Sequence, residues 1–109
     1  MELKKGSIVL IEAPRDHKGT EIKKKRPAIV VSPLEMAQHA NRVIVVPLTS
    51  NVSKLYPFEA LIHSSAKPSK ACCDQILTIS TERIIETQGF ISSEELKALN
   101  RALKVILEL

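Results

Sequence analysis

Short apolar runs separated by polar turns recur along the chain and predict a small, mainly β domain. Five runs have the length of a strand, at residues 7–12, 28–32, 41–50, 57–63 and 71–79. Pro47, near the end of the third run, indicates an edge or a bulge there. Two further segments, 35–40 and 80–84, have the length of a single helical turn. This order of elements favours a small curled antiparallel sheet or a partly open barrel.

The C-terminal segment has the clearest helical pattern in the sequence. Ser92 is followed three residues later by Glu95, which is the spacing of a capping box. Apolar side chains then recur at helical spacing and form one face: Leu96, Leu99, Leu103, Ile106 and Leu107. We interpret this face as a surface that packs on the core and not as a membrane-binding face.

Length and composition indicate a single folded domain over residues 1–109. The apolar fraction of 44% is that of an ordinary folded protein and argues against disorder. No apolar run approaches the roughly 18 residues that a membrane-spanning helix needs. The first apolar run, at 7–12, is too short for the core of a signal peptide. We therefore expect a cytoplasmic protein with no membrane association.

The two cysteines, Cys72 and Cys73, are adjacent in the sequence. Neighbouring side chains on a strand point to opposite faces, so a disulfide between them is disfavoured. The three histidines, His17, His39 and His63, are scattered and do not complete a metal-ligand pattern. We expect a reduced, half-buried thiol pair and no metal site.

The positive charge is concentrated near the N-terminus. Lysine and arginine number 16 against 12 acidic residues, and residues 1–26 hold eight of the cations and four of the acids. The whole excess of four therefore lies within residues 1–26, which span the first strand and the polar loop at 13–25. A localised excess is typical of a protein that binds phosphate groups, although a solvated lysine-rich loop would have the same composition. A loop of that length in so small a domain also indicates a functional segment.

Arg26 is the first candidate functional residue because Pro27 follows it. Proline disfavours helical geometry in the residue before it, which holds Arg26 extended at the mouth of an apolar strand. A guanidinium at a fixed position can grip a phosphate through two parallel hydrogen bonds. A surface arginine without a role is the alternative.

Two other polar stretches adjoin apolar strands. Thr49 and Ser50 lie at the end of the third run, after its apolar residues, where their hydroxyls could donate to a phosphate oxygen or cap a turn. Asp74 and Gln75 stand within the run predicted as the fifth strand, where one of the pair faces the core side and needs a polar partner. The residues alone leave structural and functional roles open in both stretches.

Together these stretches resemble the MazF/PemK family of toxin endoribonucleases. The segments KKGSIVLIE, GTEIKKKRPAIVVSP, RVIVVPLTS, YPFEALI and CDQILTI occur in the family's order and approximate spacing. The family's glycine, small residue or histidine, glutamate, four variable residues and Arg-Pro match Gly19 to Pro27 without a gap. The resemblance covers essentially the whole chain, including the terminal helix.

The resemblance implies an α+β, mainly β fold: an SH3-like barrel of about five antiparallel strands with a C-terminal helix. It implies a homodimer that cleaves single-stranded RNA, as in mRNA, at short sequences without a metal ion or other cofactor. The ribose 2′-OH would attack the adjacent phosphate and give a 2′,3′-cyclic phosphate and a 5′-OH end. The expected protein partner is a cognate antitoxin with an acidic, partly disordered tail.

The resemblance also implies residue roles. Arg26 would clamp the phosphate and act as general acid, and Thr49 would help to hold the scissile phosphate. Glu21 would act as base or orienting group, and Asp74 matches a further position implicated in catalysis. RNA contacts would come from His17, Lys18, Thr20, Lys23, Lys24, Lys25, Ser50, Asn51 and Gln75.

Three positions depart from the family pattern. Thr20 stands where some members have histidine, Cys72 where some have arginine, and Leu77 where an arginine is common. The last two changes remove cations, so a non-catalytic alternative stays open. One such alternative is a toxin of the same fold that binds and poisons DNA gyrase, and another is a degenerate SH3-like adaptor.

Overall fold

The architecture is a twisted antiparallel sheet with one long helix packed at its end. A computed structural model describes residues 2–12 and 25–109. The strands are β1 (Ser7–Glu12), β2 (Lys25–Val30), β3 (Arg42–Thr49), β4 (Glu59–Ile62), β5 (Ser69–Cys72), β6 (Leu77–Ser80) and β7 (Ile84–Phe90). The helices are α1 (Leu34–Ala40) and α2 (Ser93–Leu107), and single 3-10 turns lie at Cys73–Gln75 and Thr81–Arg83. Neither α1 nor α2 is long and apolar enough to cross a bilayer.

The strands run in the order β4-β5-β3-β2-β1-β7, and β6 pairs with β3 beside this path. Within the described residues β4 and β7 end the path without pairing to each other, so the sheet is not closed. The predicted mainly antiparallel sheet with a C-terminal helix is confirmed. The described residues form seven strands, where about five were predicted.

Two changes account for the extra strands. The single predicted strand at 71–79 is two strands, β5 and β6, separated by the 3-10 turn at Cys73–Gln75. The second change is β7, whose residues after Ile84 are all exposed. Its sequence lacks the alternation of apolar and polar residues that marks a half-buried strand, and pairing with β1 holds it in place.

Proline explains the change of partner along β3. Val31 N donates to Ile44 O at 2.9 Å, so alternate residues of β3 turn their backbone groups toward β2. By that alternation Pro47 turns its nitrogen to the other side, where β6 pairs with Arg42–Val45 and β5 pairs with Leu48–Thr49. Because proline has no N–H to donate, it lies where β3 passes from one partner to the next.

The core has two layers. One cluster, between the sheet and α2, includes Ile29, Val46, Leu48, Ile62 and Leu99. The other lies on the opposite face of β2 and β3 and includes Val9, Ile11, Ala28, Val43 and Val45. The alternating apolar residues of β2 and β3 supply both clusters, so the paired parts of these two strands are buried on both faces. The burial stops at the start of β2 and at the end of β3.

The capping box predicted for α2 is present. Ser92 Oγ accepts from Glu95 N at 3.1 Å, and Glu95 Oε1 accepts from Ser92 N at 2.8 Å. Glu95 is itself buried, at 8% exposure. Its carboxylate also accepts hydrogen bonds from the backbone of His63 and from the backbone and hydroxyl of Ser64. The start of α2 is thereby joined to the loop between β4 and β5.

Candidate functional site

A cavity of about 420 Å³ opens where β2 begins and β3 ends. Its walls come from the ends of these strands, from the loop before β5 and from β1 and β7. The lining residues are Leu10, Lys25, Arg26, Pro27, Leu48, Thr49, Ser50, Ser65, Ala66, Lys67, Ser69 and Gln88. Neighbours in a strand face opposite sides, and Leu48 and Thr49 both line the cavity. The cavity therefore passes around the strand ends and is not confined to one face of the sheet.

The register of β2 and β3 brings Arg26 and Thr49 together. The last paired residues are Ala28 and Pro47, and two more steps in this register place Arg26 opposite Thr49. Directly opposed residues of antiparallel strands carry their side chains on the same face. The structure thus brings the two leading sequence candidates to one cavity, and both are half-buried there.

Pro27 explains why the two strands separate beside the cavity. The alternation set by Val31 and Ile44 turns the nitrogen of Pro27 toward Leu48 of β3. A proline nitrogen has no hydrogen to donate. The β2–β3 ladder accordingly stops at Ala28, the residue that follows Pro27 in the sequence. The opening between the strands therefore follows from a missing backbone donor.

The hydroxyl of Thr49 is oriented by the turn that follows it. Asn51 N donates to Thr49 Oγ1 at 3.3 Å. A hydroxyl has one donor and two acceptor positions, so this contact leaves its O–H free to donate to a ligand. Asn51 itself is not among the cavity-lining residues, and its Oδ1 accepts from the N and Oγ of Ser53. The structure therefore places Asn51 in a turn and Ser50 in the cavity wall.

The cavity lining is positively charged. Lys25, Arg26 and Lys67 line it, and among residues 2–12 and 25–109 no carboxylate does. Lys67 was not among the residues singled out from the sequence, because the segment 64–70 has only the composition of a turn. Ser65 Oγ and Ser69 Oγ both donate to the carbonyl of Lys67, at 2.7 and 2.9 Å, which fixes the backbone of this third cation. The arrangement suits a phosphate group.

Asp74 and Gln75 do not line the cavity. They lie on the 3-10 turn between β5 and β6, and both are exposed. The interpretation that one of them faces the core side is wrong, because the turn carries both side chains outward. The carboxylate of Asp74 instead lies near Glu59 and Cys72, with one ligand-type atom of each within 4.8 Å of the others.

The environment of this trio disfavours a thiolate. Burial raises the pKa of Cys72, the nearby carboxylates of Glu59 and Asp74 raise it further, and Lys70 and Arg26 act in the opposite direction. The trio has donor types that a divalent metal can use, but Glu59 Oε1 already lies 3.0 Å from the cationic Nζ of Lys70.

Both cysteines are free thiols, as predicted, although both are buried where half-burial was expected. Burial, with the neighbouring Cys72, Asp74 and Glu59, raises the pKa of Cys73 to about 12. A neutral, buried thiol is a poor nucleophile, so neither cysteine has the environment of a reactive group.

Several sequence candidates lie outside the described residues. Glu21, the proposed base, is one of them. The others are His17, Lys18, Thr20, Lys23 and Lys24. Lys25 is the first described residue after this segment, and it reaches the cavity, which places the end of the basic run beside Arg26.

Comparison with known proteins gives a consistent result. The family model described as "PemK-like, MazF-like toxin of type II toxin-antitoxin system" matches residues 4–107. Endoribonuclease MazF9 of Mycobacterium tuberculosis is 39% identical over 101 residues, which cover 84% of this chain and 86% of that protein. Endoribonuclease toxin MazF of Escherichia coli is 31% identical over 91 residues, which cover 83% and 81%.

Solved structures share the fold. A MazE–MazF structure from Deinococcus radiodurans superposes with a TM-score of 0.83 at 21% identity, covering 100% of this chain and 98% of that one. An endoribonuclease from a mycobacterial species superposes with a TM-score of 0.80 at 18% identity, covering 100% and 94%.

Proposed function

We propose that this protein, which belongs to the family of PemK-like and MazF-like toxins of type II toxin–antitoxin systems, is an endoribonuclease that cleaves single-stranded RNA. The whole chain, 1–109, would form one toxin domain. The observation that carries the proposal is the meeting of Arg26 and Thr49 at one cavity that Lys25 and Lys67 also line. Two curated relatives that exceed 30% identity are named endoribonucleases, which supports the same activity.

The proposed reaction uses a nucleophile that RNA itself provides. The ribose 2′-oxygen bonds to the adjacent phosphorus, the bond from phosphorus to the 5′-oxygen breaks, and the products are a 2′,3′-cyclic phosphate and a 5′-OH end. The 2′-OH loses its proton to a base, for which Glu21 is the proposed residue, and the leaving 5′-oxygen gains a proton. Asp74 would act from outside the cavity lining, beside Cys72. No activated serine or cysteine is required, which agrees with the neutral thiols of this chain.

Arg26 and Thr49 would act on the transition state. As the 2′-oxygen attacks, negative charge grows on the non-bridging oxygens of the phosphorus. The guanidinium of Arg26 and the free O–H of Thr49 would donate to these oxygens and to the leaving oxygen, and Arg26 would serve as general acid. A preplaced donor of this kind contributes on the order of 2–4 kcal/mol, because it binds the transition state more strongly than the substrate.

The remaining cations would hold the strand on either side of the cut. Lys25 and Lys67 belong to the cavity wall and can pair with neighbouring phosphates. The basic residues before Lys25, together with Ser50, Asn51 and Gln75, remain proposed RNA contacts. Because these contacts are largely electrostatic, affinity for RNA should fall as salt concentration rises.

The family also suggests protein partners. We propose a homodimer that a cognate antitoxin neutralises in the cytoplasm, with an acidic tail of the antitoxin covering the basic cavity. Exposed apolar side chains at the end of α2 (Val105, Leu107 and Leu109) have the character of an association surface.

The test is digestion of a long single-stranded RNA in the presence of EDTA, followed by mapping of the ends. The expected result is discrete cuts with 5′-OH ends, which Arg26→Ala abolishes. Arg101→Ala is the matched control, since Arg101 is an exposed arginine of α2. If the purified dimer cuts no RNA but inhibits DNA gyrase, the nuclease proposal is wrong and the binding toxin replaces it. Equal cutting by Arg26→Ala and the parent protein would remove Arg26 from the site.

A further inference from the structure

Lys70 is a buried cation close to the cavity but not part of its wall. Only 11% of its side chain is exposed, and its Nζ lies 3.0 Å from Glu59 Oε1, whose side chain is 7% exposed. Lys70 Nζ also donates to the carbonyl of Lys54 at 2.7 Å. A charge removed from water in this way needs such partners, so the three groups form one unit.

This unit fastens the segment 50–58, which joins β3 to β4. Lys70 bonds the segment at the carbonyl of Lys54, and Glu59 Oε1 bonds it at the backbone N of Tyr56, at 2.9 Å. Lys70 Nζ lies 5.9 Å from the ring centroid of Tyr56, which stacks on Phe58 at 5.3 Å. In the described part of the chain, the side-chain hydrogen bonds that join this segment to β4 and β5 go to Glu59 and Lys70. Its other side-chain hydrogen bonds lie within the segment or go to Thr49.

The fastened segment begins beside the hydroxyl of Thr49, the proposed donor to the phosphate. Thr49 is the direct cross-strand partner of Lys70 in the β3–β5 ladder, so their side chains emerge on the same face. Asn51, two residues into the segment, donates to Thr49 Oγ1 and so directs the free O–H of that hydroxyl. A segment released at Lys54 and Tyr56 would no longer hold Asn51 N in place.

We propose that Lys70 is a positioning residue for Thr49: through Glu59 and the carbonyl of Lys54 it holds the segment 50–58 so that Asn51 orients the Thr49 hydroxyl. The inference rests on the proposed endoribonuclease activity. Lys70 itself does not touch the RNA. Its removal affects the rate of the chemical step, since a small displacement of a transition-state donor lowers kcat while the cavity cations continue to bind RNA.

The experiment measures kcat and KM on an oligonucleotide that spans one mapped cleavage site. Lys70→Met should lower kcat by about tenfold or more and leave KM within about twofold. Lys97→Met is the matched control, because Lys97 is an exposed lysine of α2 that pairs with exposed Glu94. It should leave both constants unchanged.

Two combined variants separate positioning from general loss of stability. In a Thr49→Val background, Lys70→Met should change kcat by less than about twofold, because the hydroxyl that it positions is already absent. Lys70→Met with Glu59→Gln should recover the melting temperature that the single variant loses, since no buried carboxylate is left unpaired. The kcat should stay low, because the bond from Lys70 to the carbonyl of Lys54 is gone, although the glutamine oxygen can still accept from Tyr56 N.

Three results would overturn the proposal: full kcat in Lys70→Met, an undiminished effect in the Thr49→Val background, or recovery of kcat together with melting temperature in the Lys70→Met and Glu59→Gln double variant. A parent protein that cuts no RNA would instead refute the endoribonuclease activity itself. The two failures are therefore distinguishable.

Discussion

Replacing Glu95 with glutamine tests how strongly α2 is joined to the rest of the fold. Burial alone would raise the pKa of Glu95, but hydrogen bonds from Ser64, Ser92 and His63 outweigh burial and lower the pKa from 4.5 to about 2. These bonds favour the charged carboxylate, so the folded state is stabilised by keeping Glu95 ionised. Glutamine carries no charge, and it turns an NH₂ group toward partners that are themselves donors.

The size of the effect follows from the shift in pKa. Lowering the pKa from 4.5 to about 2 corresponds to about 3.5 kcal/mol, at about 1.4 kcal/mol for a pKa change of one. The pKa is lower in the folded than in the unfolded state. The stabilisation is therefore fully present above about pH 4.5 and is lost as pH falls toward 2.

The assay is urea denaturation of the parent protein and of Glu95→Gln at several values between pH 7 and pH 2.5. At pH 7 the variant should have a free energy of unfolding lower by about 3.5 kcal/mol, and the difference should shrink steadily below pH 4.5. Glu94→Gln is the control, since Glu94 lies in the same helical turn with its side chain 85% exposed. A difference that is the same at pH 7 and pH 3 would refute the reasoning, because the charge of Glu95 would then contribute nothing.

Three further predictions concern the cavity and the strand that borders it. Thr49→Val should lower kcat by about 10²-fold with little change in melting temperature, as loss of one charge-stabilising donor does in other enzymes, and unchanged cleavage would exclude the hydroxyl from the mechanism. Lys67→Met should weaken the salt dependence of RNA binding, measured by fluorescence anisotropy. The slope of log K against log salt should become smaller in magnitude by about 0.7. An identical slope would mean that Lys67 pairs with no phosphate. Gly89→Ala should lower the free energy of unfolding by about 1 kcal/mol or more because Gly89 has φ +100, while an added Cβ would meet nothing within 4 Å. An alanine variant as stable as the parent would show that β7 relaxes at no cost.

The sequence predicts those elements whose apolar pattern is strong. The run at 7–12 matches β1 in both bounds, and the capping-box spacing of Ser92 and Glu95 marks the start of α2. In contrast, β7 has only polar or exposed side chains after Ile84, and it exists because β1 offers it backbone partners. Pairing of this kind leaves no trace in a local pattern.

The site could be predicted in part for the same reason. The rigid position of Arg26 follows from Pro27 alone, and the hydroxyl of Thr49 follows from its place after an apolar run. Their meeting depends on the register of β2 and β3, which is a long-range pairing that a local sequence pattern does not specify. The contribution of Lys67 depends on how Ser65 and Ser69 fold the loop before β5, and its turn-like composition gives no indication of a phosphate site.

The ladder that stops at Ala28 has a consequence for how the activity can diversify. The gap beside Leu48 exists because an imino nitrogen offers no hydrogen, and it does not depend on which side chains surround it. Substitutions around the rim can accumulate and change which nucleotides are preferred while the cleft itself persists. Pro27→Ala would restore a backbone N–H at position 27. The ladder between β2 and β3 could then extend by a further pair and close the entrance without altering a single charged group.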